Sequence, residues 1–144
     1  MRDPAERGFS LIELAITVLV LGLLFAFSIP NFQSLSSTYQ LHGAAENIAG
    51  QLRLAREKAI ATGVEQPLHI PSSVTYHIHY PSGIATTWTL PRGITFTNAT
   101  VGSWLHMSSD GRLNESGSRF VVVGNARGEL DTVSVQLSGL ILTR

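Results

Sequence analysis

Apolar residues are concentrated at one end of this chain. Phe9 to Ile29 is a run of 21 residues in which Glu13 is the only charged side chain. At 1.5 Å per residue such a helix is about 30 Å long, the thickness of a bilayer's hydrocarbon core. The pattern predicts a transmembrane or assembly helix over 9–29, and Arg2 and Arg7 ahead of it favour a cytoplasmic amino end. Pro30 lacks an N–H and crowds the preceding turn, so a kink or a locally unwound segment is expected there. Beyond it, Leu41, Ala45, Ile48, Leu52, Ala55 and Ala59 recur every three or four residues and mark the buried stripe of an amphipathic helix over 30–63. Gln51, Arg53, Arg56, Glu57 and Lys58 read as its opposite face, with Arg53 and Glu57 one turn apart and able to pair weakly. Gly63 stands where a helix C-cap belongs.

From Val64 the pattern changes to short Thr, Val, Ile and aromatic runs broken by Pro and Gly, the mark of antiparallel strands. Val74–Tyr80 alternates strictly, Pro81-Ser82-Gly83 follows, and Ile84–Leu90 completes a hairpin. Further strands are expected at Ile94–Phe96, Trp104–Met107, Arg119–Gly124 and Thr132–Leu142, with turns at Ser109-Asp110-Gly111 and Ala126-Arg127-Gly128. One long helix followed by strands joined by short connections predicts an α+β fold, with the helix packed on an antiparallel β domain over 64–144.

Composition narrows the functional classes. With 144 residues there is room for one core, and 44% hydrophobic against 14% charged residues excludes a disordered or polyelectrolyte chain. Zero net charge leaves no overall field to steer a charged partner. The absence of cysteine removes disulfide frameworks, thiolate metal sites and cysteine nucleophiles. Serine and threonine outnumber the charged residues, which predicts hydroxyl-rich sheet faces suited to lateral packing. The apolar run is followed by Ile29-Pro30-Asn31-Phe32-Gln33, with no small-residue cleavage pattern, so removal at that end is not expected.

The stretch Arg7-Gly8-Phe9-Ser10-Leu11-Ile12-Glu13-Leu14 resembles the processing site of type IV pilins and pseudopilins. The resemblance implies a cytoplasmic leader over 1–8, cut after Gly8 by a prepilin peptidase that also methylates the new terminal Phe9. It further implies that Glu13 meets the freed amine of a neighbouring subunit and sets axial register, with Pro30 allowing the helix to bend. A carboxylate in a membrane helix costs on the order of 2–3 kcal/mol at mid-bilayer, so Glu13 asks for a partner. Snorkelling to the headgroups, or complementing the helix dipole, is the other explanation. Leu52–Gly63, with the later Asp110-Gly111 and Gly128 turns, is similar to the GspH/FimT group of minor pseudopilins. The implied function is structural: a single-pass protein of the bacterial inner membrane, its carboxy-terminal domain periplasmic, assembled into a type II secretion pseudopilus or a type IV pilus. The implied partners are other pilin or pseudopilin subunits, the prepilin peptidase, the inner-membrane assembly platform and membrane lipid.

Three other chemistries have candidate residues in the chain. His77 and His79 share a strand face and His69 can come from the strand beside it. With no cysteine and no acidic third ligand nearby, they read as a polar face opposite Val74, Tyr76, Ile78 and Tyr80, and neither metal nor cofactor is expected. No nucleophile-elbow, zinc-protease or phosphate-loop motif occurs, and Glu65, Asp110, Glu115, Glu129 and Asp131 fall at predicted turns or strand ends, so no enzyme is expected. The alternative function is a DNA-binding minor pilin acting in natural transformation, with Arg112, Arg119, Arg127 and Arg144 as the candidate contacts. The carboxy-terminal tail carries one arginine and the charge beyond residue 30 is near balance, so nucleic acid is not an expected partner.

Overall fold

A computed structural model describes residues 9–80, 83–114 and 116–144, with the backbone alone described at 27–34, 84 and 85. The leader, Gly8, Glu115, the Pro81-Ser82 tip of the first hairpin and the Pro30 side chain lie outside the described residues, but the backbone through Pro30 is helical, so the locally unwound segment expected there is corrected. The chain divides into two compact units, Met1–Ser36 and Ser37–Arg144.

Helix α1 (Leu11–Thr62) runs through both. In the first unit its side chains are apolar on every side and exposed: Leu11, Ile12, Leu14, Ile16, Val18 to Leu21 and Leu23 to Phe25. A helix that is apolar all round is built for lipid or for the interior of a bundle. Among the described residues no helix is long and apolar enough to cross a membrane; within the apolar run, side chains are described only as far as Ala26.

In the second unit α1 becomes one-sided. Every residue of the predicted stripe, Leu41, Ala45, Ile48, Leu52, Ala55 and Ala59, is buried, joined by Ala44 and Ala49. The many alanines let the helix approach the sheets closely. The helix stops where Gly63 takes φ +68°, the left-handed conformation that a C-cap needs.

The β domain has two antiparallel sheets of four strands. Sheet A runs β3 (Gly83–Thr89), β2 (Thr75–Tyr80), β1 (Gln66–His69), β5 (Trp104–Met107). Sheet B runs β4 (Ile94–Phe96), β6 (Phe120–Asn125), β7 (Leu130–Val135), β8 (Ile141–Thr143). Leu68, Ile78, Leu105 and Met107 from sheet A and Val121, Val123, Val133 and Val135 from sheet B join the α1 stripe in one core. Tyr76 lies in it between Trp88, stacked at 5.5 Å, and Phe96, edge-on at 5.9 Å; burial pushes its phenol up to about 12.

Several expectations are corrected. The segment Thr132–Leu142 is not one strand but the hairpin β7–β8, because Gly139 at φ +81° turns the chain and Gln136 N–H donates to the Leu140 carbonyl. Arg53 pairs with Glu46 at 3.7 Å rather than with Glu57. Beside the apolar stripe Arg56 and Lys58 are half-buried: Arg56 Nε donates to the Gly111 carbonyl at 2.8 Å, and Lys58 Nζ donates to the Tyr80 hydroxyl. Asp131 is not a solvated strand end but 2% exposed, and His42 of α1 meets it at 2.6 Å. That contact and the Arg56 bond tie the helix to both ends of the β domain, a task side chains on an apolar stripe cannot perform because dispersion has no direction.

Candidate functional site

Two regions bear on function, the amino end of α1 and the outer face of sheet A. At the amino end the Ser10 carbonyl accepts from the N–H groups of Glu13 and Leu14 at 3.0 and 3.1 Å, so Ser10 is the N-cap and Glu13 lies in the first helical turn. There the helix dipole favours an acid, and the Ser-x-x-Glu spacing is that of a capping box. Phe9 stands just ahead, 73% exposed. An aromatic side chain and a carboxylate one turn away thus stand at the start of an exposed apolar helix.

The four candidate DNA contacts do not converge. Arg119 precedes β6, whereas Arg127 lies in the turn at its other end; six strand residues between them span about 20 Å. Arg144 bonds backbone to backbone with Thr132 and lines a cleft with the acidic Glu46 and Asp131. Arg112 sits in the turn after β5, its N–H donating to Asp110. Arg144 therefore shares its cleft with two acids, and Arg119 and Arg127 stand at opposite ends of β6.

The outer face of sheet A brings together the three histidines that the sequence placed on neighbouring strands. Antiparallel register sets His69 directly opposite His77, and His79 follows on the same face of β2. His69 Nδ1 lies 3.2 Å from His77 Nε2, which lies 2.8 Å from His79 Nε2. On this polar face His77 is only 7% exposed, because neighbouring rings cover it. Trp104, opposite His69 on β5, stacks on that ring with centroids 3.9 Å apart and planes 11° apart. Burial, then repulsion from His77 and His79, holds the His69 imidazole below its ordinary pKa; burial, then His79, does the same to His77. The His-x-His pair is visible from alternation alone, whereas the place of His69 beside it depends on the β1–β2 register. His106, next along on β5, is bonded instead to Glu65.

Comparison with known proteins agrees with the amino end and with the fold. Residues 3–29 match the prokaryotic N-terminal methylation motif. A fimbrial protein of Pseudomonas aeruginosa is 39% identical over 61 residues, covering 42% of this chain and 39% of that protein, so the chain aligns with well under half the length of such relatives. The crystal structure of the P. aeruginosa type IV minor pilin FimU is similar over 76% of this chain and 92% of that one, with TM-score 0.61 and 18% identity. The minor pseudopilin EpsH of the Vibrio cholerae type 2 secretion system is similar over 73% and 96%, with TM-score 0.57 and 15% identity. Sequence likeness is thus confined to part of the chain, while the fold likeness extends through the β domain. The chain thus carries the prokaryotic N-terminal methylation motif at the head of a long helix packed on antiparallel sheets, and shares its fold with the minor pilin FimU and the minor pseudopilin EpsH.

Proposed function

We propose that this chain is a minor pseudopilin-like structural subunit of the GspH/FimT kind, cut after Gly8 and methylated on Phe9, then drawn from the inner membrane into a pseudopilus or type IV pilus. The observation that carries this reading is the match of residues 3–29 to the methylation motif directly at the head of a helix whose first half exposes apolar residues on every side. Exposed apolar surface of that extent is not stable in water and needs lipid before assembly and other subunits' helices after it. In the bilayer, residues 9–29 form the span and the domain from residue 64 lies in the periplasm. In the filament, the Glu13 carboxylate neutralises the new amine of an adjacent subunit's Phe9. The uncleaved precursor cannot offer that pairing, because its Phe9 nitrogen is an amide and carries no charge. The role is mechanical and non-catalytic.

The test is mass measurement of the chain made beside a prepilin peptidase. Wild type is expected to lose its first eight residues and gain a methyl group, and Gly8→Leu to stay full length. A trimmed Gly8→Leu product, or a wild-type chain that still begins at Met1, would refute the processing. Deletion of the gene, followed by parallel assays of protein export and surface piliation, then assigns the machine.

A further inference from the structure

We propose that His69, His77 and His79 form a mononuclear site for a divalent first-row transition metal ion, of which zinc is the type, on the face of sheet A turned away from α1. This inference is independent of the pilin reading, since it uses no residue of the amino end.

The first support is geometric. One nitrogen from each ring can be chosen so that all three lie within 4.8 Å of one another, and the closer contacts are 2.8 and 3.2 Å. Tetrahedral zinc with Zn–N bonds of 2.0–2.1 Å sets its ligand nitrogens about 3.3 Å apart. Side-chain rotations that close the widest separation, at most 4.8 Å, by up to about 1.5 Å convert the present cluster into a coordination triangle. Two ligands two residues apart on one strand, and a third opposite on its antiparallel neighbour, are held by backbone hydrogen bonds rather than by a loop.

The second support is hydrogen-bond accounting. His77 Nε2 faces two other ring nitrogens but possesses either one proton or one lone pair. Without a cation, at most one of those contacts is a full two-centre bond, and the other is shared or repulsive. A metal ion resolves the conflict, because all three nitrogens then act as lone-pair donors to one centre. Metal binding needs neutral imidazoles, and burial keeps His69 and His77 in that state near neutrality. Trp104, lying flat against His69, fixes the plane of that ring.

The donor set selects the ion. Three imidazoles suit zinc, copper and nickel, whereas calcium and magnesium require oxygen ligands. His69 and His79 are half-buried, so a fourth position opens to solvent and takes water, the pattern of an open three-histidine centre.

The test uses the full chain in detergent, produced without a polyhistidine tag, stripped with chelator and titrated calorimetrically with zinc chloride at pH 7.5. One ion per chain is expected, with a micromolar or tighter dissociation constant. His69→Gln and His79→Gln should each weaken binding by about tenfold or more, and the double variant should abolish it. His42→Gln and His106→Gln, whose rings pair with Asp131 and Glu65, should leave it unchanged. Copper(II) should quench tryptophan fluorescence in wild type, and Trp104→Phe should remove the quench while retaining the ion. Near-ultraviolet circular dichroism establishes that each variant is folded; the His69→Gln and His79→Gln substitutions leave the more deeply placed His77 intact. Absence of stoichiometric zinc binding by wild type, or binding that survives the folded double variant, would overturn the proposal.

Discussion

Gly139→Ala offers the sharpest test of how the helix and the two sheets are locked together. Gly139, in the β7–β8 turn, has φ +81°, and a Cβ built on it would lie 2.0 Å from the Gly111 carbonyl oxygen and 2.7 Å from Arg56 Nε. That oxygen is the one that accepts the Arg56 bond at 2.8 Å. Two costs add. The left-handed backbone costs a non-glycine residue about 1–2 kcal/mol. The carbonyl must also retreat by about 1.4 Å to reach ordinary contact, which breaks a hydrogen bond from a charged donor worth about 1.5–3 kcal/mol. The sum, about 2.5–5 kcal/mol, is a large share of the 5–15 kcal/mol that stabilises a typical domain. At about 4 °C per kcal/mol, the midpoint should fall by roughly 10–20 °C. Gly102→Ala is the control, for Gly102 has φ +84° with nothing within 4 Å of its would-be Cβ, so only the backbone cost applies. Thermal unfolding followed by tryptophan fluorescence, which reports on Trp88 and Trp104 of the β domain, measures both variants. Equal destabilisation by the two, within about 0.5 kcal/mol, would refute the close three-way junction of Arg56, Gly111 and Gly139, since additivity should separate them.

Leu52, 0% exposed, should cost about 2–5 kcal/mol when cut to Ala, whereas Leu54, two residues on and 42% exposed, should cost under about 1 kcal/mol; denaturant midpoints compare them, and similar losses would refute the assigned helix face. Because the folded pKa of His69 and of His77 is lowered from 6.5, the unfolded chain binds protons more readily. Stability of the metal-free protein should therefore be full above about pH 6.5 and decline as pH falls below it toward the depressed folded values; His69→Gln should flatten that slope between pH 7 and 5, and an unchanged slope would count against the buried pair. Glu13→Ala should be inserted and trimmed like wild type but recovered poorly in sheared filaments on immunoblots, and normal recovery would remove its assigned part in register.

What the sequence determined by itself is whatever depends on local order. Helix periodicity depends on spacing along one segment, so the buried stripe from Leu41 to Ala59 and the stop at Gly63 were both legible. The strands Ile94–Phe96 and Trp104–Met107 were legible for the same reason, as were the turns at Gly111 and Gly128. The methylation motif is a contiguous string and needs no fold to be read. What only the tertiary structure decided are relations between distant positions. Nothing local places Asp131 under His42, 89 residues away, or sets the Gly111 carbonyl against Arg56. The division of the strands into two sheets follows from which edges pair, a choice made by core packing and not by any single strand's composition. The histidine triad shows the distinction most clearly. His77 and His79 announce themselves by alternation, but His69 joins them only because β1 and β2 pair in one register, and a slip of one residue would turn it to the opposite face.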